Sequence, residues 1–234
     1  EYDDIDFPTD GILNGVESVN IKYFSVLNYD GMPIENSLWV LGDDIISEDY
    51  TGSLVNDLGE ATGYTVFRDT INESTVMSNA GSGIVDRIDS GYYAEKLGRY
   101  GAPKKILIQR GTHDLYSYFM GDVQLGDAAS TDVSTVAGAI RYVLKNLTTL
   151  YPDAEIIWCT PIYRYDVDEE YAANYIEVLK TICAEFNVEV FDLHNEIGIS
   201  AENSVRYLND GIHLNVDGRQ LMLDELSQAV GVYS

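Results

Sequence analysis

Positive charge is scarce in this sequence. Lysine and arginine together number 14, against 39 aspartate and glutamate residues, which gives a formal net charge of −25 at pH 7. Nucleic acids and anionic membrane surfaces are polyanions, so a field of this sign disfavours both as direct partners. Long hydrophobic runs are also missing, because no stretch approaches the roughly 20 apolar residues that a membrane span requires. We therefore expect neither nucleic-acid binding nor membrane insertion.

Cysteine is nearly absent, and the chain starts without an initiator methionine or a signal peptide. Cys159, in a strand-like run, and Cys183, in a helix-like stretch, are predicted to be buried free thiols. The chain begins Glu1-Tyr2, which indicates a mature or excised portion of a longer polypeptide. Its acidity suits an extracellular, cell-surface or virion-associated protein that binds neutral glycans or divalent cations, and solubility alone explains the acidity equally well.

Short apolar segments alternate with amphipathic ones along most of the chain. Strand-like segments lie at 37–41, 64–68, 105–109, 155–159 and 188–192, and helical periodicity lies at 50–61, 133–150, 168–186 and 216–230. This alternation predicts a three-layer, flavodoxin-like α/β domain over 37–234, with a mostly parallel sheet of about five strands. Residues 1–36, with an alternating pattern at 17–28, are too short for a core of their own. They are interpreted as an N-terminal extension or the stub of a preceding domain.

Chemically distinctive residues lie where strands are predicted to end. Gly42-Asp43-Asp44-Ile45 follows the first buried strand, and Gly111-Thr112-His113-Asp114 follows the third. Near the C-terminus, Asp210-Gly211-Ile212-His213 places an aspartate three residues before a histidine, in a polar loop that leads into the last helix. Ligands of parallel α/β sheets bind beyond the carboxyl ends of the strands, so these segments are the candidate site.

The order of these segments resembles the SGNH (GDSL) hydrolase family of esterases and lipases, and the second half of the chain is similar to bacterial members that deacylate carbohydrates. In that family a serine attacks the ester, and an Asp-x-x-His supplies the base and the carboxylate that orients it. A glycine N–H and an asparagine side chain stabilise the oxyanion. Asp210 and His213 match the Asp-x-x-His, whereas Asp44 stands at the serine position and His113 at the asparagine position.

Two segments compete for the glycine position. Asn72-Glu73-Ser74-Thr75 directly follows the second predicted strand, whereas Asn79-Ala80-Gly81-Ser82-Gly83 lies further along the chain. We favour the first, which puts Glu73 where the family has an N–H-donating glycine. The resemblance makes Asp44, His113, Asp210 and His213 the candidate catalytic set. Candidate substrate contacts are Glu73 and Thr112 from these segments, with Tyr116 and Tyr163 from a group of loop tyrosines suited to stack on sugar rings.

The replaced serine separates two functional hypotheses. An aspartate has no proton to give up at neutral pH and is a poor nucleophile toward an ordinary ester, so serine-esterase chemistry is not expected. The leading hypothesis is a degenerate domain related to carbohydrate esterases, which serves as a glycan-binding or structural module of a larger extracellular or virion-associated protein. The alternative is an active hydrolase on acylated glycans, in which His213 activates a water and Asp44 orients that water or binds a metal.

Asp44, His113 and His213 also allow two interpretations of the site itself. Two imidazoles and one carboxylate around one point form a ligand set for a divalent transition metal. The simpler interpretation is a salt bridge between a protonated His113 and Asp44, with no cofactor. Ligand atoms about 2.0–2.2 Å from a common point would indicate a metal, whereas direct N–O contacts of about 2.7–3.0 Å would indicate the ion pair.

Overall fold

A computed structural model describes residues 35–47 and 54–233 of the chain. Its five strands form one sheet in the order β2-β1-β3-β4-β5, and every neighbouring pair is parallel. The strands are β1 (Ser37–Gly42), β2 (Thr65–Thr70), β3 (Lys105–Gln109), β4 (Glu155–Cys159) and β5 (Glu189–Phe191). This confirms the predicted parallel sheet. The pattern at 17–28 and the start of the helix predicted at 50–61 lie outside the described residues.

Helices cover both faces of the sheet. They are α1 (Leu54–Thr62), α2 (Ile84–Asp89), α3 (Thr112–Met120), α4 (Val136–Leu150), α5 (Glu169–Glu185), α6 (Leu193–Glu196), α7 (Ser204–Tyr207) and α8 (Val216–Val230). A π-helical turn at Tyr92–Leu97 and a 3-10 turn at Gly98–Tyr100 lie between α2 and β3. Helices α1, α4, α5 and α8 correspond to the four that were predicted. No helix in the described part of the chain has the length and hydropathy needed to cross a bilayer.

Strand β1 shows how the sheet divides the core into two layers. Trp39 and Leu41 pack into one apolar cluster, together with residues of α4 and α5. Leu38 and Val40 point to the opposite face and pack with residues of α1 and α8. Alternate side chains of a strand lie on opposite faces, so a strand buried on both faces is apolar at every position, which is the pattern seen in 38–41. The result is the expected three-layer arrangement.

The strand order places a topological switch point at the carboxyl ends of β1 and β3. After β1 the chain adds β2 on one side of it, and then returns to add β3 on the other side. The crossovers leave a crevice between the two strand ends, which is where ligands of open α/β sheets bind. The segments 43–46 and 110–114 follow β1 and β3 directly. The distinctive residues of the sequence therefore meet at one edge of the sheet.

Arg110, directly after β3, is a fully buried arginine that joins three segments at this edge. Its guanidinium donates to the carbonyl of Gly42 from Nε (3.1 Å) and Nη2 (2.8 Å). It also donates to the carbonyl of Asp69 from Nη2 (2.5 Å) and to that of Ser82 from Nη1 (3.3 Å). The carboxylate of Asp69 lies 3.8 Å from Nη2. Arg110 thus fixes the ends of β1 and β2 relative to each other.

We predict that Arg110→Met lowers the free energy of unfolding by about 3 kcal/mol, because removing one member of a buried charged network leaves its partners uncompensated. Lys105→Met is the matched control, since it removes the same charge from an exposed pair with Glu155 and should cost less than about 1 kcal/mol. Urea denaturation followed by circular dichroism measures both. Equal losses for the two variants would contradict the role given to Arg110.

Candidate functional site

The turn after β1 carries two adjacent carboxylates. Asp43 is fully buried, and its Oδ2 accepts hydrogen bonds from the backbone N–H groups of Gly111 (3.3 Å) and Thr112 (3.2 Å), at the start of α3. These bonds hold the turn against α3 and bring Asp44 beside His113. Burial, together with the neighbouring charge of Asp44, raises the pKa of Asp43 from 3.8 to about 6.

Asp44 lies between two imidazole rings. Its Oδ1 and Oδ2 are each 3.0 Å from Nε2 of His113, and its Oδ2 is 3.1 Å from Nε2 of His213. Burial opposes ionisation of Asp44, but the hydrogen bonds from both imidazoles and the charge of His113 outweigh it, so the pKa of Asp44 is lowered. Burial also opposes the charge on His113, yet its contacts with Asp44 raise the pKa of His113. Asp44 and His113 therefore form an ion pair.

Asp210 lies on the other side of His213. Its Oδ2 is 2.7 Å from Nδ1 of His213, and its Oδ1 accepts the backbone N–H of the same residue at 2.8 Å. Burial opposes the charge, but these bonds to His213 lower the pKa of Asp210 to about 2. Both ring nitrogens of His213 thus face carboxylates, which only accept hydrogen bonds when ionised. The ring of His213 is therefore held between the carboxylates of Asp44 and Asp210.

The metal interpretation of Asp44, His113 and His213 does not fit this arrangement. Their nitrogen and oxygen atoms are 3.0 and 3.1 Å apart, which is the distance of direct hydrogen bonds between the side chains. Among residues 35–47 and 54–233, no group of three His, Cys, Asp or Glu side chains is arranged to hold a metal ion. The ion-paired interpretation fits, with the difference that both imidazoles contact Asp44 rather than one.

Glu73 has a backbone φ of 56°, in the left-handed region that favours glycine. This conformation fits the alignment of Glu73 with the glycine of the SGNH family. The loop after it is held by Asp114, a buried carboxylate that accepts hydrogen bonds from the N–H groups of Val76 (2.8 Å) and Met77 (3.0 Å). Glu73 and His113 line the same cavity, so the loop and the start of α3 face each other across it.

The other three predicted substrate contacts do not have their expected surroundings. Thr112 is only 1% exposed, and it acts through its backbone: the N–H donates to Asp43, and the carbonyl accepts from Nη1 of Arg164 at 3.0 Å. The guanidinium of Arg164 lies 4.6 Å from the ring centroid of Tyr116 and covers that face. Tyr163 packs against the core layer of α1 and α8. The burial of Thr112 corrects the predicted contact of its side chain, whereas Tyr116 and Tyr163 are half-buried and their substrate-contact role stays a prediction.

Charged residues that sequence reasoning did not select support the site from behind. Asp43 and Asp114 bind backbone N–H groups, whereas Arg110 and Arg164 bind backbone carbonyls. Arg164 is additionally paired with Asp166, through Nε at 2.6 Å and Nη2 at 2.9 Å. Arg110 lies directly after a buried strand, but this position alone does not indicate which groups it binds. The two cysteines are buried and free, as predicted.

We predict that His113→Asn destabilises the protein by about 1–2 kcal/mol near pH 5 and by less near pH 9. The pKa of His113 is raised in the folded state, so its contribution is present below the unfolded value of 6.5 and is lost as pH rises through the folded value. The pKa of Asp44 is lowered, so its contribution is present above 3.8 and is lost as pH falls through the folded value. The pair stabilises most between these limits.

Chemical denaturation of the unmodified protein and of His113→Asn at several pH values measures the difference in their free energies of unfolding. His194→Asn is the control, because His194 pairs with Glu169, whose side chain is 68% exposed, and an exposed pair contributes little. A His113→Asn penalty of the same size at pH 5 and pH 9 would rule out the ion pair as its cause.

Solved structures with this architecture cover nearly the whole domain. A protein from Lactobacillus plantarum has a TM-score of 0.64 at 19% identity, covering 84% of this chain and 96% of that one. A GDSL-like lipase from Parabacteroides merdae has a TM-score of 0.60 at 16% identity, covering 86% and 98%. A catalytic mutant of an acetylxylan esterase from Geobacillus stearothermophilus has a TM-score of 0.59 at 15% identity, covering 87% and 99%. At these identities the likeness shows a shared fold.

Sequence comparison identifies the family. A search of curated protein sequences finds no match to this chain. The sequence profile of the GDSL-like lipase/acylhydrolase family matches residues 41–221. This range includes the turn after β1, the loop that follows Glu73, the start of α3 and the Asp210–His213 segment. The chain therefore belongs to the GDSL-like lipase/acylhydrolase family.

Proposed function

We propose that this chain is a degenerate member of its family, which binds glycans without deacylating them and serves as a module of a larger extracellular or virion-associated protein. The observation that carries the proposal is the pair of carboxylates that the ring of His213 contacts. In an esterase, Nε2 of this histidine accepts the proton of the attacking serine. Here Nε2 faces the Asp44 carboxylate at 3.1 Å, and Nδ1 faces Asp210 at 2.7 Å. Nε2, the atom that would serve as the base, therefore contacts a carboxylate where the serine hydroxyl would have to stand.

The nucleophile position supports the same conclusion. The Asp44 carboxylate is held by two imidazoles, and attack on an ester would require breaking these bonds to form a labile anhydride. Its negative charge also opposes the oxyanion that the site would have to stabilise. Ser47, three residues further along, donates its hydroxyl to the backbone carbonyl of Asp44 at 3.5 Å. Its hydroxyl is thus directed to the backbone of the turn rather than to His213.

Support for glycan binding comes from the rim of the site and from the relatives. Tyr165 is 63% exposed, its N–H donates to the carbonyl of Gly211 at 3.1 Å, and its ring packs against that glycine. Tyr165 therefore packs against the loop that carries Asp210 and His213. An exposed aromatic ring at this place suits the apolar face of a sugar. The acetylxylan esterase with the same fold acts on an acetylated polysaccharide. A neutral polysaccharide also avoids the repulsion that the charge of −25 imposes on anions.

We predict that the purified protein hydrolyses p-nitrophenyl acetate and acetylated xylan no faster than its His213→Ala variant. The double variant Asp44→Ser, His113→Asn restores the serine and the oxyanion asparagine, and frees Nε2 of His213 to accept a proton. It should hydrolyse p-nitrophenyl acetate roughly tenfold or more faster than the unmodified protein, which is a modest share of what these groups supply in esterases. Release of p-nitrophenol measures hydrolysis of p-nitrophenyl acetate, and release of acetate measures hydrolysis of acetylated xylan.

Adding His213→Ala to the double variant should remove the gain, which shows that the restored triad is responsible. Hydrolysis by the unmodified protein that disappears in His213→Ala would overturn the degenerate assignment. If EDTA also abolished that hydrolysis, the metal-assisted alternative would replace the degenerate assignment.

We predict that Tyr165→Ala weakens binding to soluble xylan by about fivefold to tenfold, the loss expected for one aromatic stacking contact. Tyr233→Ala is the matched control, because Tyr233 is also exposed but packs against Tyr64, beyond the last helix. Affinity electrophoresis in xylan-containing gels compares the three proteins. Unchanged migration of Tyr165→Ala relative to Tyr233→Ala would contradict the role of Tyr165.

A further inference from the structure

A cavity of about 460 Å³ opens beside the ion-paired centre, between α3 and the 73–79 loop. Its volume lies within the range of about 300–1,000 Å³ found for small-ligand sites. His113 forms part of its lining, so the cavity lies on the His113 flank of Asp44, whereas the Asp210–His213 loop and Tyr165 lie on the other flank. Nothing in the chemistry proposed above uses this space.

The walls of the cavity are fixed by buried and charge-assisted hydrogen bonds. The Asp114 carboxylate holds the N–H groups of Val76 and Met77, at 2.8 and 3.0 Å. Further along the loop, Asp86 accepts from the N–H of Asn79 (2.6 Å), the N–H of Gly81 (3.0 Å) and the hydroxyl of Ser78 (2.5 Å). A cavity whose walls are already ordered loses little conformational entropy when a ligand enters, which favours binding.

The lining combines an apolar surface with polar groups that converge on it. Met77 and Val123 supply the apolar part. His113 and Ser117 are four residues apart on α3, so both project from the same side of the helix into the cavity. Nε2 of His113 is engaged by Asp44, which leaves Nδ1 for a ligand, and Glu73 supplies a carboxylate on the opposite wall.

This set of groups matches one chemical class of ligand. A pyranose ring presents an apolar C–H face and several hydroxyls that both donate and accept hydrogen bonds. The hydroxyls would meet the imidazole, the Ser117 hydroxyl and the Glu73 carboxylate, while the C–H face would lie on Met77 and Val123. A negatively charged sugar would meet the charge of Glu73 in the field of a chain with net charge −25. We propose that this cavity is a subsite for one neutral pyranose residue, a proposal that rests on the glycan binding proposed above.

The test titrates methyl β-xyloside, methyl N-acetyl-β-glucosaminide and glucuronate into the ¹⁵N-labelled protein, followed by NMR. A neutral glycoside should bind with a dissociation constant of roughly 1–10 mM and shift the amide signals of α3 and the 73–79 loop. Ser117→Leu fills the cavity from α3 and should weaken binding at least about fivefold, as should Val123→Phe from the segment that follows α3. Ser90→Leu, at an exposed position after α2, is the matched control and should bind as the unmodified protein does.

The outcomes separate the subsite from the broader function. If neutral glycosides bind but Ser117→Leu and Val123→Phe, both shown to be folded by thermal melting, bind equally well, the subsite is wrong and glycan binding stands. Tighter binding of glucuronate overturns the neutral class. If no glycoside or xylan binds at all, both the subsite and the glycan-binding proposal fail. Loss of catalysis is tested separately by the ester assay and is unaffected by any of these results.

Discussion

The carboxylate of Asp44 needs compensating positive charge, and the site is arranged around that need. A carboxylate that is only 3% exposed would cost several kcal/mol if it stood alone, because burial removes the water that stabilises the charge. His113 supplies that charge from one side, and His213 forms a hydrogen bond with the carboxylate from the other. Asp210 contacts the second ring nitrogen of His213 at 2.7 Å. Carboxylates and imidazoles therefore alternate from Asp210 to His113, and removing any one of the four leaves a neighbour without its hydrogen-bond partner.

The backbone around this row of charges is held by a second set of buried charges. Asp43 and Asp114 each bind two N–H groups of a facing loop, and Arg110 binds carbonyls at the ends of two strands. The groups that these charges bind are main-chain N–H and C=O groups, whose presence does not depend on the side chains of the loops. The positions of the loops are thus largely independent of the side chains at 44, 73 and 113. The scaffold can therefore accommodate the replacements at 44, 73 and 113 that the resemblance to the family implies.

The sheet and the four long helices could be predicted because their apolar periodicity is local. In β3 every residue of 106–109 is buried, and the run of apolar residues there is visible without the rest of the chain. The partners of Asp44 could be predicted from the family order of segments. The supporting residues could not, since Arg110 binds carbonyls 41 and 68 positions away.

The burial of Thr112 and the surroundings of Tyr116 have physical reasons of the same kind. Helix α3 begins at Thr112, which turns that side chain into the core, and its start was not evident from the pattern. One ring face of Tyr116 is covered by Arg164, which comes from the segment after β4. Which face of a tyrosine is open depends on such distant neighbours. The domain boundary at 36–37, the glycan partner and the location of the protein stay predictions.

The backbone of Glu73 has a consequence for how structures of this kind are compared. A left-handed φ of 56° costs a non-glycine residue about 1 kcal/mol, so the surrounding loop imposes it on Glu73. The main chain keeps the shape that suits a glycine even though no glycine is there. Superposition of main-chain atoms on acyl hydrolases therefore does not detect differences in the side chains that determine reactivity. For this domain, the identities of three residues carry more information about chemistry than the positions of all its Cα atoms.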